Sequence, residues 1–291
     1  MNLIEFKPFF HRNDLNAFHS KEIMTVLFRA RTSEGFNFKI LGEILHNTLK
    51  TISIHITKEG IFSKMIDVHK KLLIDIKLLS TNFSQYVLNT DSLLFGVNIS
   101  HLYKIISSLK KKDSLILQIM EESPNELQII VTPRERDHTE VSRISIQNIQ
   151  SLDIDVPENY NHPVHVSSSK FQKMCKDMLN IGKEIHVYGN EQFVMFECET
   201  PGIYKKQIHF GEEPEDPESS PHMVTDNPSD VHYYFDAEQL VRISKISSLA
   251  PLLHVYLNHS LPLLIKSQVG SLGTISIFIK SSPNSSQISS E

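Results

Sequence analysis

No apolar run in this chain approaches the ~20 residues that a membrane-spanning helix needs. The opening MNLIEFKPFF lacks the basic stretch, apolar core and small-residue cleavage site of a secretory signal, so no export and no membrane partner are expected. Cysteine is scarce: Cys175 and Cys198 fall in a predicted helix and a predicted strand, without metal-ligand spacing, which points to a reducing intracellular compartment. Ten glycines form no GxGxxG and no Walker loop, so nucleotide hydrolysis has no visible machinery. Fifteen histidines form no HExxH, and His162 with His165 has no cysteine nearby; no metal and no cofactor are expected. No Arg/Asn/Gln cluster opens a predicted helix, which argues against a sequence-specific DNA reader. Positive charge is not in excess either. The 29 Lys+Arg against 34 Asp+Glu leave a formal net charge of -5, which excludes a protein that coats nucleic acid with its whole surface.

What is present is one element used four times. Phe36–Lys50, Asn98–Lys110, Ser167–Ile181 and Asp236–Leu249 each read as a short amphipathic helix with cations on the polar side and β-rich sequence around it. They recur at a spacing of roughly 60–70 residues, as repeats of one supersecondary unit would. In the third, Phe171, Met174, Cys175 and Met178 form the apolar face, with Lys170, Lys173 and Lys176 on the other side. In the fourth, Asp236 is the expected N-cap, Leu240, Ile243 and Ile246 face inward, and Arg242 and Lys245 project outward. The second has its core stripe at Ile99, Leu102, Ile105, Ile106 and Leu109, with Lys104 opposite and Lys110, Lys111 and Lys112 at its end, where cations suit the helix dipole. The first carries Lys39, His46 and Lys50. Any one such face is what ordinary surface lysines look like. Four together, in an acidic chain, mark charge sorted in space toward a polyanion.

Between the helices lie β-branched runs, among them Thr25–Arg31, Thr51–Thr57, Leu72–Leu79, Val141–Ile149 and Ile203–Phe210, which read as half-buried antiparallel strands. The length suggests two domains. Residues 1–23 read as an N-terminal arm, 24–148 as a first domain, 149–163 as a Pro/Asn-rich connector, 164–281 as a second domain and 282–291 as a disordered tail. The stretch 211–230 reads as an acidic, proline-rich loop. Asp153 and Asp155 form a DxD, but a linker does not aim two carboxylates at one cation, so the chain is not expected to be an enzyme.

FGVNISHLYKIISSLKKKDSLILQI (95–119), SLDIDVPENYNHPVHVSSSKFQKMCKDMLNIGKEIHV (151–187) and HSLPLLIKSQVGSLGTISIFI (259–279) resemble, in order, segments of the proliferating cell nuclear antigen family of DNA sliding clamps. The resemblance spans about residues 24–280. The arm, the shorter connector, the long loop and Lys280-Ser281 at the tail depart from the family's pattern. The family implies an α+β, two-domain DNA-clamp fold, each domain with two helices packed on antiparallel sheets, assembling into a closed ring. It implies a homotrimer around double-stranded DNA, bound without sequence preference. It also implies partners that dock by a short motif, among them DNA polymerase and a clamp loader.

Carried onto this chain, the resemblance implies DNA contacts at Lys104, Lys173, Lys176 and Lys245, with Lys39, Lys50 and Arg242 beside them. Lys110 stands in where Ser107 replaces a family lysine. It implies a partner pocket of Met65, His69, Leu152, Val156, Pro157, Pro262, Phe278 and Ile279, and a subunit interface at Ile144, Ile203 and Ile208, with 141–149 of one copy paired to 203–210 of the next. In the arm, Phe6, Phe9 and Phe10 resemble the partners' motif. The implied location is the nucleus or, for a viral protein, the host's cytoplasmic or nuclear replication site. A second reading keeps the fold but makes the chain a checkpoint clamp or scaffold subunit without a processivity role.

Overall fold

The computed structural model describes residues 25–135, 138–150, 154–211 and 230–282. The first half runs β1 (Val26–Thr32), α1 (Gly35–His46), β2 (Thr51–Ile56), β3 (Gly60–Ile66), β4 (Leu72–Leu79), β5 (Gln85–Leu88), β6 (Leu93–Asn98), α2 (Ile99–Ile106), β7 (Ser114–Met120), β8 (Ser123–Thr132) and β9 (Glu140–Ser145). The second half runs β10 (Val164–Ser167), α3 (Ser168–Leu179), β11 (Glu184–Gly189), β12 (Phe193–Thr200), β13 (Tyr204–Gly211), β14 (Val231–Asp236), α4 (Ala237–Ile243), β15 (Leu252–Tyr256), β16 (Leu263–Val269) and β17 (Gly273–Ile279). Apart from β5, the second half repeats the order of the first.

Three antiparallel sheets result. One is β5-β1-β7-β8-β9, one is β13-β12-β11-β14, and one of eight strands, β10-β15-β16-β17-β4-β3-β2-β6, crosses from one half to the other. The crossing is the β4–β17 pair, in register from Leu72↔Ile279 to Leu78↔Gly273. Burial explains why these strands read as apolar runs: Ile74, Ile275, Ile277 and Ile279 are at most 1% exposed. One hydrophobic core runs through both halves.

The helices make one layer. α1 packs on α2, α3 packs on α4, and a 3₁₀ turn at Ser244–Ser248 touches both α1 and α3. The expected apolar stripes face the sheets, with Phe171, Met174, Cys175, Met178, Leu240, Ile243 and Ile246 all at most 1% exposed. The expected N-cap at Asp236 is observed, its carboxylate accepting from the Glu238 N–H at 2.8 Å.

Three helices end earlier than their apolar period suggests, and hydroxyl groups sit at each end. Thr48 donates to the carbonyls of Ile44 and Leu45, Ser107 and Ser108 donate to Lys104 and Ile105, and Ser244 donates to Val241. Such local bonds occupy the terminal carbonyls that another turn would need. Lys50 therefore precedes β2, Lys110 lies in the turn after α2, and Lys245 sits on the 3₁₀ turn. Strand β5 has no sequence signal of its own. It forms because Tyr86 packs edge-on against Phe28 and donates to the Thr57 carbonyl at 2.7 Å.

Candidate nucleic-acid interface

On α3 the buried stripe forces Lys170, Lys173 and Lys176 outward, and all three are exposed. Lys104 is exposed on α2 in the same way. Among the described residues none of these four is in an ion pair. The Asp177 carboxylate, one turn on from Lys173, is held below its usual range, mainly by a hydrogen bond from Lys206 at 2.8 Å. Lys50 and Lys110 are exposed beyond the helices.

The cations near the junction of the halves are engaged instead. Lys245 Nζ lies 3.2 Å from Glu43 Oε2, tying the second half to α1. Lys39 Nζ donates to the Leu109 carbonyl at 3.4 Å and stands 5.8 Å from the Phe36 ring centre. Arg242 pairs with Glu238 one turn back at 3.4 Å. Acids are thus more involved with this layer than the sequence led us to expect.

The expected partner pocket falls in two places. On the first half, a groove of about 410 Å³ is lined by Met65, Ile66, Thr51, Ile149 and Ile154. The chain leading into the connector lies along β6 through paired bonds between Gly96 and Gln147, both 2.8 Å. Gly96 permits this approach, because a Cβ there would come within 2.7 Å of Ile149. On the second half, Tyr160 donates to the Pro262 carbonyl at 2.7 Å and leans on Tyr256 and Phe278. Tyr160 is a lining residue that the sequence reading missed. Burial and partial exposure distinguish the rest: Val156, Pro157 and Pro262 are half-buried, while Met65 and Phe278 are nearly covered. His69 is exposed in a turn closed by the Asp67 carboxylate, beside Val68 at 71% exposure. Ile279 is 0% exposed and belongs to the core, so it can only support the pocket from beneath. Leu152, Asp153 and the phenylalanines of the arm lie outside the described residues; Asp155 is exposed.

The expected subunit strands, β9 and β13, are edge strands of their sheets. Ile203 is 83% exposed and Ile208 half-buried, but Ile144 is 7% exposed and packs into the chain's own core opposite Leu127. The alternation of β9 turns Ile144 inward and leaves Val141 exposed; Tyr204 is exposed on β13.

Elsewhere, burial pushes the Cys175 thiol up to about 12 and raises Cys198, so neither is a ready nucleophile or ligand. Among the described residues no group of three or more His, Cys, Asp or Glu is placed to hold a metal. On the four-stranded sheet, His186 stacks on Tyr234 and lies 3.1 Å, nitrogen to nitrogen, from His232. Burial first, and then His232, push the His186 imidazolium down to about 4.

Two family models match the chain in tandem: the N-terminal domain of proliferating cell nuclear antigen over residues 27–157 and its C-terminal domain over residues 155–282. The chain is similar to the probable DNA polymerase sliding clamp 1 of Paramecium bursaria Chlorella virus 1, with 25% identity over 259 residues covering 87% of this chain and 96% of that protein. It is 20% identical to the proliferating cell nuclear antigen of Dictyostelium discoideum, over 87% of this chain and 98% of that one. In fold it matches the crystal structure of the corresponding protein of Entamoeba histolytica with a TM-score of 0.74, at 18% identity, covering 89% of this chain and 100% of the other.

Proposed function

The chain belongs to the proliferating cell nuclear antigen family, and from that premise we propose that it is a DNA sliding clamp, a closed ring of three copies that encircles duplex DNA and tethers a DNA polymerase. The exposed lysines of the helix layer carry this reading: Lys104 on α2 and Lys170, Lys173 and Lys176 on α3 stand in no ion pair among the described residues and are placed to meet phosphates. A sliding contact needs many weak phosphate interactions and no base contacts, because phosphates repeat along DNA and base edges do not. Lysine suits it as a mobile point charge. The acidic balance of the chain limits coating of DNA from outside the ring. A clamp performs no covalent chemistry; it raises the effective concentration of its partner at the primer end by topology.

In the ring we place β9 of one copy against β13 of the next, since exposed edges of this kind are normally paired or protected. Val141, Ile203 and Tyr204 supply the apolar contacts. Short-motif partners would dock in the two-part groove spanned by the connector, with Met65, Val156, Pro157, Tyr160, Pro262 and Phe278 at its walls. The work is done at a replication site, nuclear or viral.

The pairing of Lys245 and Arg242 with acids favours a second reading, a clamp-fold scaffold or checkpoint subunit with a weaker hold on DNA. Two measurements separate them. A solution mass of three chains, with protein retained on closed circular DNA and lost on linearisation, is the expected result. A monomer, or retention indifferent to DNA ends, overturns the clamp reading. For the groove, Val156→Asp should abolish binding of a partner-type peptide while leaving the mass unchanged, because it places a charge in an apolar slot.

A further inference from the structure

At one end of the five-stranded sheet, where β1 and β8 finish and β5 and β7 begin, an open cavity of about 640 Å³ is lined by Arg31, Lys112 and Arg134 with the hydroxyls of Ser84, Ser114 and Thr132. Among the described residues no carboxylate lines it. Asp113, the acid next to Lys112, is buried and spends its carboxylate on the Lys110 N–H at 2.8 Å. The three cations are exposed and in no ion pair among the described residues. Three unanswered cations beside donor hydroxyls make a receptor for carboxylate or phosphate oxygens.

Its position says which. β8 ends at Thr132, and Val131 is paired with Glu140, the first residue of β9. The cavity therefore opens at the N-terminal end of the edge strand assigned above to the subunit contact. Every strand pair among the described residues is antiparallel, and an antiparallel β9–β13 contact brings the C-terminal end of a neighbour's β13, at Gly211, to that same end. The sequence that follows Gly211 carries Glu212, Glu213, Glu215, Asp216 and Glu218, with no Lys or Arg before Arg242.

We propose that the Arg31–Lys112–Arg134 cavity is the receptor for the acidic segment that follows β13 of a second copy, an electrostatic latch across each subunit contact. This rests on the ring reading of the preceding subsection and adds to it the partner of an otherwise unassigned basic site. Such rim pairs act chiefly on association and on salt dependence, and exposed pairs are individually weak.

The test uses the full chain. Arg31→Glu, Lys112→Glu and Arg134→Glu together should raise the concentration at which half the trimer dissociates about tenfold in about 50 mM NaCl. Glu212→Lys, Glu213→Lys and Glu215→Lys together should do the same. Combining both sets should return the value to within about threefold of the parent. The differences should fade in about 0.5 M salt, where the Debye length is a few ångströms. Losses that add without rescue overturn the latch, as does a trimer indifferent to both sets. If the cavity variant keeps its trimer and loses only DNA retention, the latch is overturned in favour of a DNA phosphate site. A parent protein that is monomeric overturns the ring reading and the latch together, whereas an intact trimer without coupling overturns the latch alone.

Discussion

The four helices carry similar sequences, yet the two at the centre of the layer use their cations differently from the two at its flanks. α1 and α4 with the 3₁₀ turn that follows it, the turn meeting α1 across the junction of the halves, commit Lys39, Arg242 and Lys245 to a backbone carbonyl and two carboxylates. The flanking helices α2 and α3 leave Lys104, Lys170, Lys173 and Lys176 in water. A charge that is already paired contributes less field to a passing phosphate than a free one. Of the central cations Lys245 ties the two halves together, while Lys39 and Arg242 are engaged within their own halves; the flanking lysines are the ones left free for the DNA contact proposed above.

That contrast can be broken most strongly at the flanks. Replacing Lys104, Lys173 and Lys176 by Gln should reduce DNA retention by two or more orders of magnitude. Each lost contact should lower the slope of log affinity against log salt by about 0.9. Thermal stability should change by less than about 0.5 kcal/mol, since these side chains touch nothing that packs. Retention unchanged at moderate salt would remove the helix layer as the DNA face.

A control lies away from the layer, on the four-stranded sheet. His186 has its folded-state value depressed from 6.5 to about 4, so the unfolded chain binds the extra proton between those values. Stability should be full above pH 6.5 and fall as the pH drops toward 4. Allowing for partial exposure, the fall should be about 1–2 kcal/mol. His186→Phe should flatten that part of a denaturant-midpoint titration, with no change in the salt slope for DNA.

At the centre, Lys245→Met should cost up to about 1 kcal/mol of stability, because Glu43 loses its partner, and should move the salt slope less than any flanking lysine does. The smallest effect sharpens the comparison from the other side. Glu43→Gln frees Lys245 and should steepen the salt slope by less than about 0.9, with slightly better DNA retention. A shallower slope in that variant would mean that Glu43, not Lys245, faces the bound partner.

Much of the fold was legible from period alone. The 3.6-residue stripes of α2, α3 and α4 and the alternation of the longer strands follow from which side of each element is wet. The helix ends were less legible, because serine and threonine hydroxyls near each end compete locally for carbonyls that the apolar period assigns to another turn. β5 was invisible, since its existence depends on a tyrosine finding Phe28 and the Thr57 carbonyl across the core. In the site, Lys104, Lys173 and Lys176 were readable as polar-face residues. Tyr160 was not, because a connector has no period from which to infer what a ring will cover.

Determined by the sequence itself were the doubled order of elements, the placing of cations on the polar side of each of four helices, and the absence of motifs for catalysis or metal binding. These depend on local spacing and composition, which a chain states directly. Only the tertiary structure decided which cations are free, that Ile144 and Ile279 face the chain's own core, and that Arg31, Lys112 and Arg134 share one cavity. Arg31 and Arg134 are about a hundred residues apart and meet because β1, β7 and β8 are neighbours in one sheet. Pairing between distant strands is set by the packing of whole faces against a common core, and no local window of sequence contains that information.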